Sequence, residues 1–248
     1  MNEHKQVQKV DVLSVLFDNV TMSEMKENIT SFFKSQLLDN LFIVTANPEI
    51  VDYAQQDTTY RHLINSADYV VADGTGVVMA SKLLQTPLKE RVPGIELMET
   101  CLHIANEQHQ KVFLLGAENE IVKAAYIRLS EKFPEVAFDF HHGFFDLSDE
   151  MVVQQIKSFN PDYIFIGMGY PRQELWIERH ANQFEQTMFM GVGGSLEVFS
   201  GMKKRAPKLF RTLNLEWVYR VIIDWKRIGR TKAIPKFIFN VFKAKFKK

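Results

Sequence analysis

Cysteine is almost absent from this chain. Cys101 stands alone, which excludes an intrachain disulfide and any metal site built from several thiolates, and is compatible with a reducing compartment. Long apolar runs are missing too: none approaches the ~18 residues of an ordinary membrane-spanning helix. The stretch from Met1 to Val10 is polar and lacks the apolar core of a secretory signal. If such a protein meets a membrane, it is expected to lie on it. The common nucleotide fingerprints are also lacking. The two glycine-rich stretches miss G-x-G-x-x-G at the last position, where Arg172 and Leu196 stand, and G-x-x-x-x-G-K-[ST] occurs nowhere. No Asp-x-Asp is present, so metal-held diphosphate chemistry lacks its usual mark. His141-His142 is the only adjacent histidine pair and has no third ligand at a recognisable spacing, which favours a structural role.

Net charge is formally zero, but its distribution is not even. Between Lys203 and Lys248 lie 15 Lys and Arg residues against only Glu216 and Asp224, a balance of +13, and the remainder of the chain carries −13. Phe, Trp, Ile and Val are interleaved with these basic residues. Such a segment suits an anionic membrane surface better than nucleic acid. On a helical wheel Leu215–Arg230 puts Trp217, Val218, Val221, Ile222, Trp225 and Ile228 on one side and Arg220, Arg227 and Arg230 on the other. Phe237, Phe239, Phe242 and Phe246 extend the aromatic content and point towards membrane contact.

What the body contains is a regular alternation. Leu41–Val44, Tyr69–Ala72, Val112–Leu115, Val136–Phe140, Tyr163–Ile166 and Thr187–Met190 are short apolar runs that read as strands. Pro48–Ala54, Gly94–His109, Glu118–Phe133, Asp149–Phe159 and Arg172–Phe184 have helical spacing, and Val12–Val20 reads as a small extra strand or hairpin. Strands apolar on both faces and separated by helices predict an α/β fold, a largely parallel sheet covered on both sides. The division expected is a body over residues 1–207 and a basic appendage over 208–248, with Pro207 at the boundary.

Ligands of an open parallel sheet sit beyond the carboxyl ends of its strands. Small and polar residues follow five of the apolar runs, and together they predict one crevice. Asp73, at a strand end beside Gly74 and Gly76 and across from Thr45 and Asn47, suits a general base, although Asp before Gly is also an ordinary turn or cap residue. Gly191–Ser195 either cradles a phosphate or makes a tight strand-to-helix turn. With no metal motif, arginines are the candidates to balance a leaving diphosphate: Arg91 and Arg172 in the body, Arg220, Arg227 and Arg230 in the appendage.

Taken in order, these motifs resemble one family. Thr45-Ala46-Asn47-Pro48-Glu49, Asp73-Gly74-Thr75-Gly76, Arg91-Val92-Pro93-Gly94, Gly167-Met168-Gly169-Tyr170-Pro171-Arg172-Gln173-Glu174, Gly191-Val192-Gly193-Gly194, Arg205-Ala206-Pro207 and Leu215-Glu216-Trp217 have the spacing of the WecG/TagA/CpsF glycosyltransferases, glycosyltransferase family 26. The resemblance spans about Val12 to Arg230. It implies a Rossmann-like body that oligomerises, an appendage that completes the active site, and peripheral attachment to the cytoplasmic face of the bacterial cell membrane. It also implies inverting, metal-independent transfer of N-acetylmannosamine from UDP-N-acetylmannosamine to undecaprenyl-diphosphate-linked N-acetylglucosamine, giving the β-1,4-linked lipid disaccharide of wall teichoic acid synthesis. Carried over residue by residue, Asp73 would deprotonate the acceptor hydroxyl, and Thr45 and Asn47 would position the acceptor or the base. Arg91, Gly169, Arg172, Gln173, Gly191, Gly193, Gly194 and Glu197 would contact substrate, and Arg220, Arg227 and Arg230 would meet the UDP or the lipid diphosphate. Relatives with other UDP-sugars, such as UDP-N-acetylmannosaminuronic acid or UDP-glucose, share these loops. A non-catalytic membrane-surface adaptor would leave the polar strand ends without a purpose.

Overall fold

The computed structural model describes residues 7–35, 38–204, 206–207, 210 and 233–246. It contains all six expected sheet strands: β3 (Leu41–Ala46), β4 (Tyr69–Ala72), β5 (Lys111–Gly116), β6 (Ala137–His141), β7 (Tyr163–Gly167) and β8 (Met188–Gly191). They form one sheet in the order β4-β3-β8-β7-β5-β6, and every adjacent pair is parallel. The stretch around Val12 is a separate antiparallel hairpin of β1 (Lys9–Val12) and β2 (Val15–Asp18). Leu13 and Ser14 both have positive φ in its two-residue turn, the twist that matches paired strands. Asp18 ties the hairpin to the sheet: its buried carboxylate accepts from the Val70 amide at 2.8 Å and from Lys9 Nζ at 2.9 Å.

Nine helices of the body follow in chain order: α1 (Met22–Lys34), α2 (Pro48–Gln56), α3 (Thr58–Asn65), α4 (Thr75–Leu83), α5 (Gly94–Glu107), α6 (Asn119–Lys132), α7 (Glu150–Phe159), α8 (Arg172–His180) and α9 (Ser195–Phe199) among the described residues. Strand residues alternate between the two faces, as the period of two requires. Ile43, Val112, Leu114 and Phe165 pack beneath α1, α5, α6 and α9. On the opposite face Val44, Ala46 and Val70 meet α2, α3 and α4, while Phe113, Leu115 and Ile164 meet α7 and α8. Both faces are therefore dry, which explains the continuous apolar strands.

Four of these helices, α1, α3, α4 and α9, fall outside the segments with clear helical spacing. α1 had a legible start: Thr21 and Glu24 form a reciprocal capping box, with Thr21 Oγ1 accepting from the Glu24 amide at 3.1 Å and Glu24 Oε2 from the Thr21 amide at 2.7 Å. α4 opens on Thr75-Gly76 just after Asp73-Gly74, a composition of turns, and tertiary packing makes it helical.

A further helix, Ala233–Lys245, packs on α2 and α4. Phe237 and Val241 are buried in that contact, and Lys236 Nζ stands 3.2 Å from Asp52 Oδ1. This corrects one expectation. Phe237 faces the protein, leaving Ile238, Phe239, Phe242 and Phe246 on the open side. The expected helix Leu215–Arg230, with Arg220, Arg227 and Arg230, lies outside the described residues.

Candidate active site

Chain direction places a crevice where β3 and β8 lie side by side. From β3 the chain leaves to α2 and on to β4 at the sheet edge, whereas from β8 it enters α9, which packs on α6 on the other side. Neighbouring strands whose exits diverge leave an opening beyond their carboxyl ends. The expected strand-end residues gather there.

Asp73 follows β4, its amide bonded to the Ala46 carbonyl at 3.0 Å as a continuation of the β3 pairing. Its Oδ1 accepts from the Gly94 amide at 2.6 Å. Arg91 returns to the same place, donating from Nε to the Asp73 carbonyl at 2.6 Å, and Val92 pairs with the Ala72 carbonyl at 2.9 Å. The segment before α5 thus folds back over the end of β4, bringing Arg91 to the base candidate. Oδ2 of Asp73 makes no hydrogen bond among the described residues.

Thr45 and Asn47 flank this carboxylate, with partners of their own. Thr45 Oγ1 donates to the Gly191 carbonyl at 2.9 Å, joining the ends of β3 and β8. Asn47 caps α2, its Oδ1 accepting from the Glu49 and Ile50 amides at 2.9 and 3.0 Å, so a ligand contact from Asn47 would be donated by its Nδ2. Gly74 and Gly76 allow the starts of α4 and α2 to touch: a Cβ on Gly74 would stand 2.7 Å from Pro48 Cδ, and one on Gly76 2.9 Å from Pro48 Cγ. Two helix N-termini therefore open side by side at the crevice, a local environment that favours anions.

The glycine stretches form the neighbouring wall. Gly169 and Gly193 have φ of +75° and +47°, left-handed conformations that a Cβ disfavours although space is open at both. Gln173 is buried rather than reaching outwards. Its Oε1 accepts from the Gly193 amide at 3.3 Å and its Nε2 donates to Glu174 Oε1 at 2.7 Å. Gly194 and Ser195 lead into α9, where Glu197 pairs with Lys203 at 2.6 Å. Arg172 is exposed and turns to the loop after β6, donating to the carbonyls of Phe145 at 2.8 Å and Gly143 at 3.3 Å. His141 and His142 stack with ring centroids 4.3 Å apart. Among the described residues no group of three or more His, Cys, Asp and Glu is arranged to hold a metal ion.

Of the sequence-derived site residues, Thr45, Asn47, Asp73, Arg91, Gln173 and Gly191–Gly194 come together, while Arg172 and Glu197 stand further along the same rim, engaged with their own loops. Sequence reasoning missed the Gly94 amide as the partner of Asp73, and Glu174 and Tyr60 beneath the glycine wall. Glu174 belongs to a quoted motif, but nothing in the string tells an exposed Glu from a buried one.

A model of the glycosyl transferase WecG/TagA/CpsF family matches residues 10–248. The chain belongs to this family. It is 61% identical over 247 residues to an N-acetylglucosaminyldiphosphoundecaprenol N-acetyl-beta-D-mannosaminyltransferase of Staphylococcus aureus strain NCTC 8325 / PS 47, an alignment covering 100% of this chain and 97% of the relative. It is 60% identical, with the same coverage, to the proteins of that name from strains MW2 and MRSA252. The glycosyltransferase family gives the crevice its chemical context: the Asp73 carboxylate and the glycine wall face one opening.

Proposed function

We infer that this chain transfers N-acetylmannosamine to N-acetylglucosaminyl-diphospho-undecaprenol, the reaction in the printed name of its S. aureus relatives. The observation that carries this reading is 61% identity over 247 residues, covering 100% of this chain and 97% of the relative. The donor this reaction requires is an activated N-acetylmannosamine, and we take it to be the UDP-sugar.

In the mechanism this reading supports, Gly94 holds one oxygen of Asp73 and leaves Oδ2 to take the proton of the acceptor hydroxyl. The freed oxygen attacks the anomeric carbon as the bond to the UDP oxygen breaks on the opposite face, inverting the centre. The glycine wall and the paired N-termini of α2 and α4 receive diphosphate charge, and arginines balance it: Arg91 from the body, with Arg220, Arg227 and Arg230 from the appendage. No metal ion is required in this scheme.

Peripheral attachment to the cytoplasmic membrane face is part of the proposal. Among the described residues no helix is long and apolar enough to cross a membrane. Ile238, Phe239, Phe242 and Phe246 line the open side of the last helix, and Lys236, Lys243 and Lys245 flank them, a pattern suited to an anionic headgroup layer. Self-association is expected from the family resemblance.

One assay tests the activity: several UDP-sugars are offered with a lipid-diphosphate-linked N-acetylglucosamine acceptor, with and without excess EDTA, and the products are identified. Turnover with UDP-N-acetylmannosamine that survives EDTA is expected. Preference for another sugar overturns the donor assignment, and inhibition by EDTA that Mg²⁺ restores overturns the arginine-based mechanism.

A further inference from the structure

Glu174 is a buried carboxyl that the transfer chemistry leaves without a task. It sits in the first turn of α8 with 1% of its surface exposed, its Oε2 lacks a hydrogen bond, and no cation pairs with it among the described residues. Burial pushes the carboxyl up to about 7, opposed by Gln173, by its own backbone amide and by the nearby Tyr60 hydroxyl. The groups around it are aromatic. Tyr60 on α3 is 2% exposed, with its hydroxyl beside the Glu174 carboxyl; Tyr53 packs edge-on to Tyr60 at 4.9 Å and lies 5.7 Å from Tyr170. An acid in such a place is costly, and an apolar side chain of similar volume would often serve packing as well.

What Glu174 controls is the direction of one amide. Gln173 Nε2 donates to Glu174 Oε1 at 2.7 Å, which turns Gln173 Oε1 towards the Gly193 N–H at 3.3 Å. The opposite rotamer would put the NH2 group against the Gly193 N–H and, when Glu174 is ionised, the oxygen against a carboxylate oxygen, so the ionised form selects the orientation. The same amide lies against Gly191, where a Cβ would stand 2.9 Å from Gln173 Cδ. From Gly191 the contacts run on towards the base. The Gly191 carbonyl accepts from Thr45 Oγ1 at 2.9 Å, a Cβ on Gly94 would stand 3.0 Å from that same oxygen, and the Gly94 amide holds Asp73 at 2.6 Å. A continuous line of contacts thus joins a buried acid to the strand ends of the crevice.

We propose that Glu174 is a positioning residue: its carboxyl orients the Gln173 amide, which holds the Gly191–Gly194 loop in the shape that receives the donor diphosphate. The proposal rests on reading that loop as the diphosphate site. Glu174 touches no substrate, and it acts through Gln173.

Two full-length variants test it, with kcat and KM for UDP-N-acetylmannosamine measured between pH 6 and 8.5 and UDP affinity measured by calorimetry. Glu174→Met keeps volume and removes the acceptor. Its melting temperature is expected to stay at or above that of the unaltered protein, while donor KM and UDP Kd rise by about tenfold, the loss of one oriented hydrogen bond. Glu174→Gln keeps an oxygen that accepts from Gln173. Its affinity is expected within about threefold of the unaltered protein, without the ionisation near neutral pH expected in the latter's kcat/KM. A folded Glu174→Met with unchanged donor KM and UDP affinity overturns the proposal. If that variant fails to fold, Glu174→Gln decides, because an unaltered pH profile overturns the proposal equally. Should the unaltered protein bind no UDP, the reading of the loop falls first; should it bind UDP exactly as Glu174→Met does, only the positioning role falls.

Discussion

Asp73 is held by one oxygen and open at the other, and that asymmetry makes its substitution informative. Asparagine retains an Oδ1 that accepts from the Gly94 amide, so the turn before α5 stays in place. Asp73→Asn is expected to lower kcat by about 10²- to 10⁴-fold, the range of a lost general base, with UDP affinity and melting temperature nearly unchanged. Single-turnover rates and calorimetry check it, and turnover near the original rate removes the base assignment. Glu174 supports a prediction about stability. Its folded-state pKa of about 7 lies above the ordinary 4.5, so the acid form is the one the fold favours. Its contribution is complete below pH 4.5 and fades as the pH rises through 7, by roughly 3 kcal/mol at most. Melting curves of the original protein and Glu174→Gln should therefore converge near pH 5 and separate by pH 8, with the variant the more stable. Parallel curves over that range would show that the acid stays neutral or finds other solvation. The place of Asp73 at a strand end beside Gly74 and Gly76 was legible in the string, although Asp before Gly is also an ordinary turn residue. Its Gly94 partner was not, since a contact between residues 21 apart depends on how the intervening loop returns.

At the scale of elements, periodicity carried most of the information. The six sheet strands were readable because both faces are buried, so each appears as an unbroken apolar run. α7 matched closely for local reasons: Asp149 caps its start, accepting from the Met151 amide at 2.9 Å, and Asn160 ends it with φ of 52°. α4 and α9 were not readable because neighbouring glycines mimic a loop, and α3 because its eight residues follow α2 with only Asp57 between them. The last helix shows the same limit. Which of its faces docks is set by α2 and α4, not by its own sequence, and Phe237 is accordingly inside while Phe239 is out. Phe237→Ala should cost about 3 kcal/mol of docking energy and release this helix without unfolding the sheet. Hydrogen exchange is the measure: protection over Ala233–Lys245 should fall while β3 and β8 keep theirs. Equal loss in the strands would show instead that the helix belongs to the cooperative core.

The whole molecule combines an acidic body with a basic aromatic end, and the open side of the last helix is where the proposed membrane attachment would be made. Ile238, Phe239, Phe242 and Phe246 make no part of the core. Replacing Phe239, Phe242 and Phe246 together with Ser should leave the helix docked through Phe237 and Val241. Partition onto vesicles containing anionic lipid should nevertheless weaken by at least about tenfold, since burial of each ring in the headgroup layer supplies favourable transfer energy. Vesicle sedimentation checks this, and unchanged binding would move the contact to another surface. The charge division itself was plain in the sequence; the inward turn of Phe237 was not, because it requires a partner surface on α2 and α4, more than 150 residues earlier in the chain, as the Lys236–Asp52 pair also shows.

That docking has a consequence for the residues between the body and the last helix. The chain is fastened to the body on both sides of residues 211–232, through the packing of α9 on α6 before them and of Phe237 and Val241 after them. From Phe199 to Phe237 the chain runs 38 residues, at most about 130 Å even when drawn out straight. If Arg220, Arg227 and Arg230 meet the diphosphate as proposed, they do so from a stretch joined to the body at both ends, and within one molecule that contact would not depend on protein concentration.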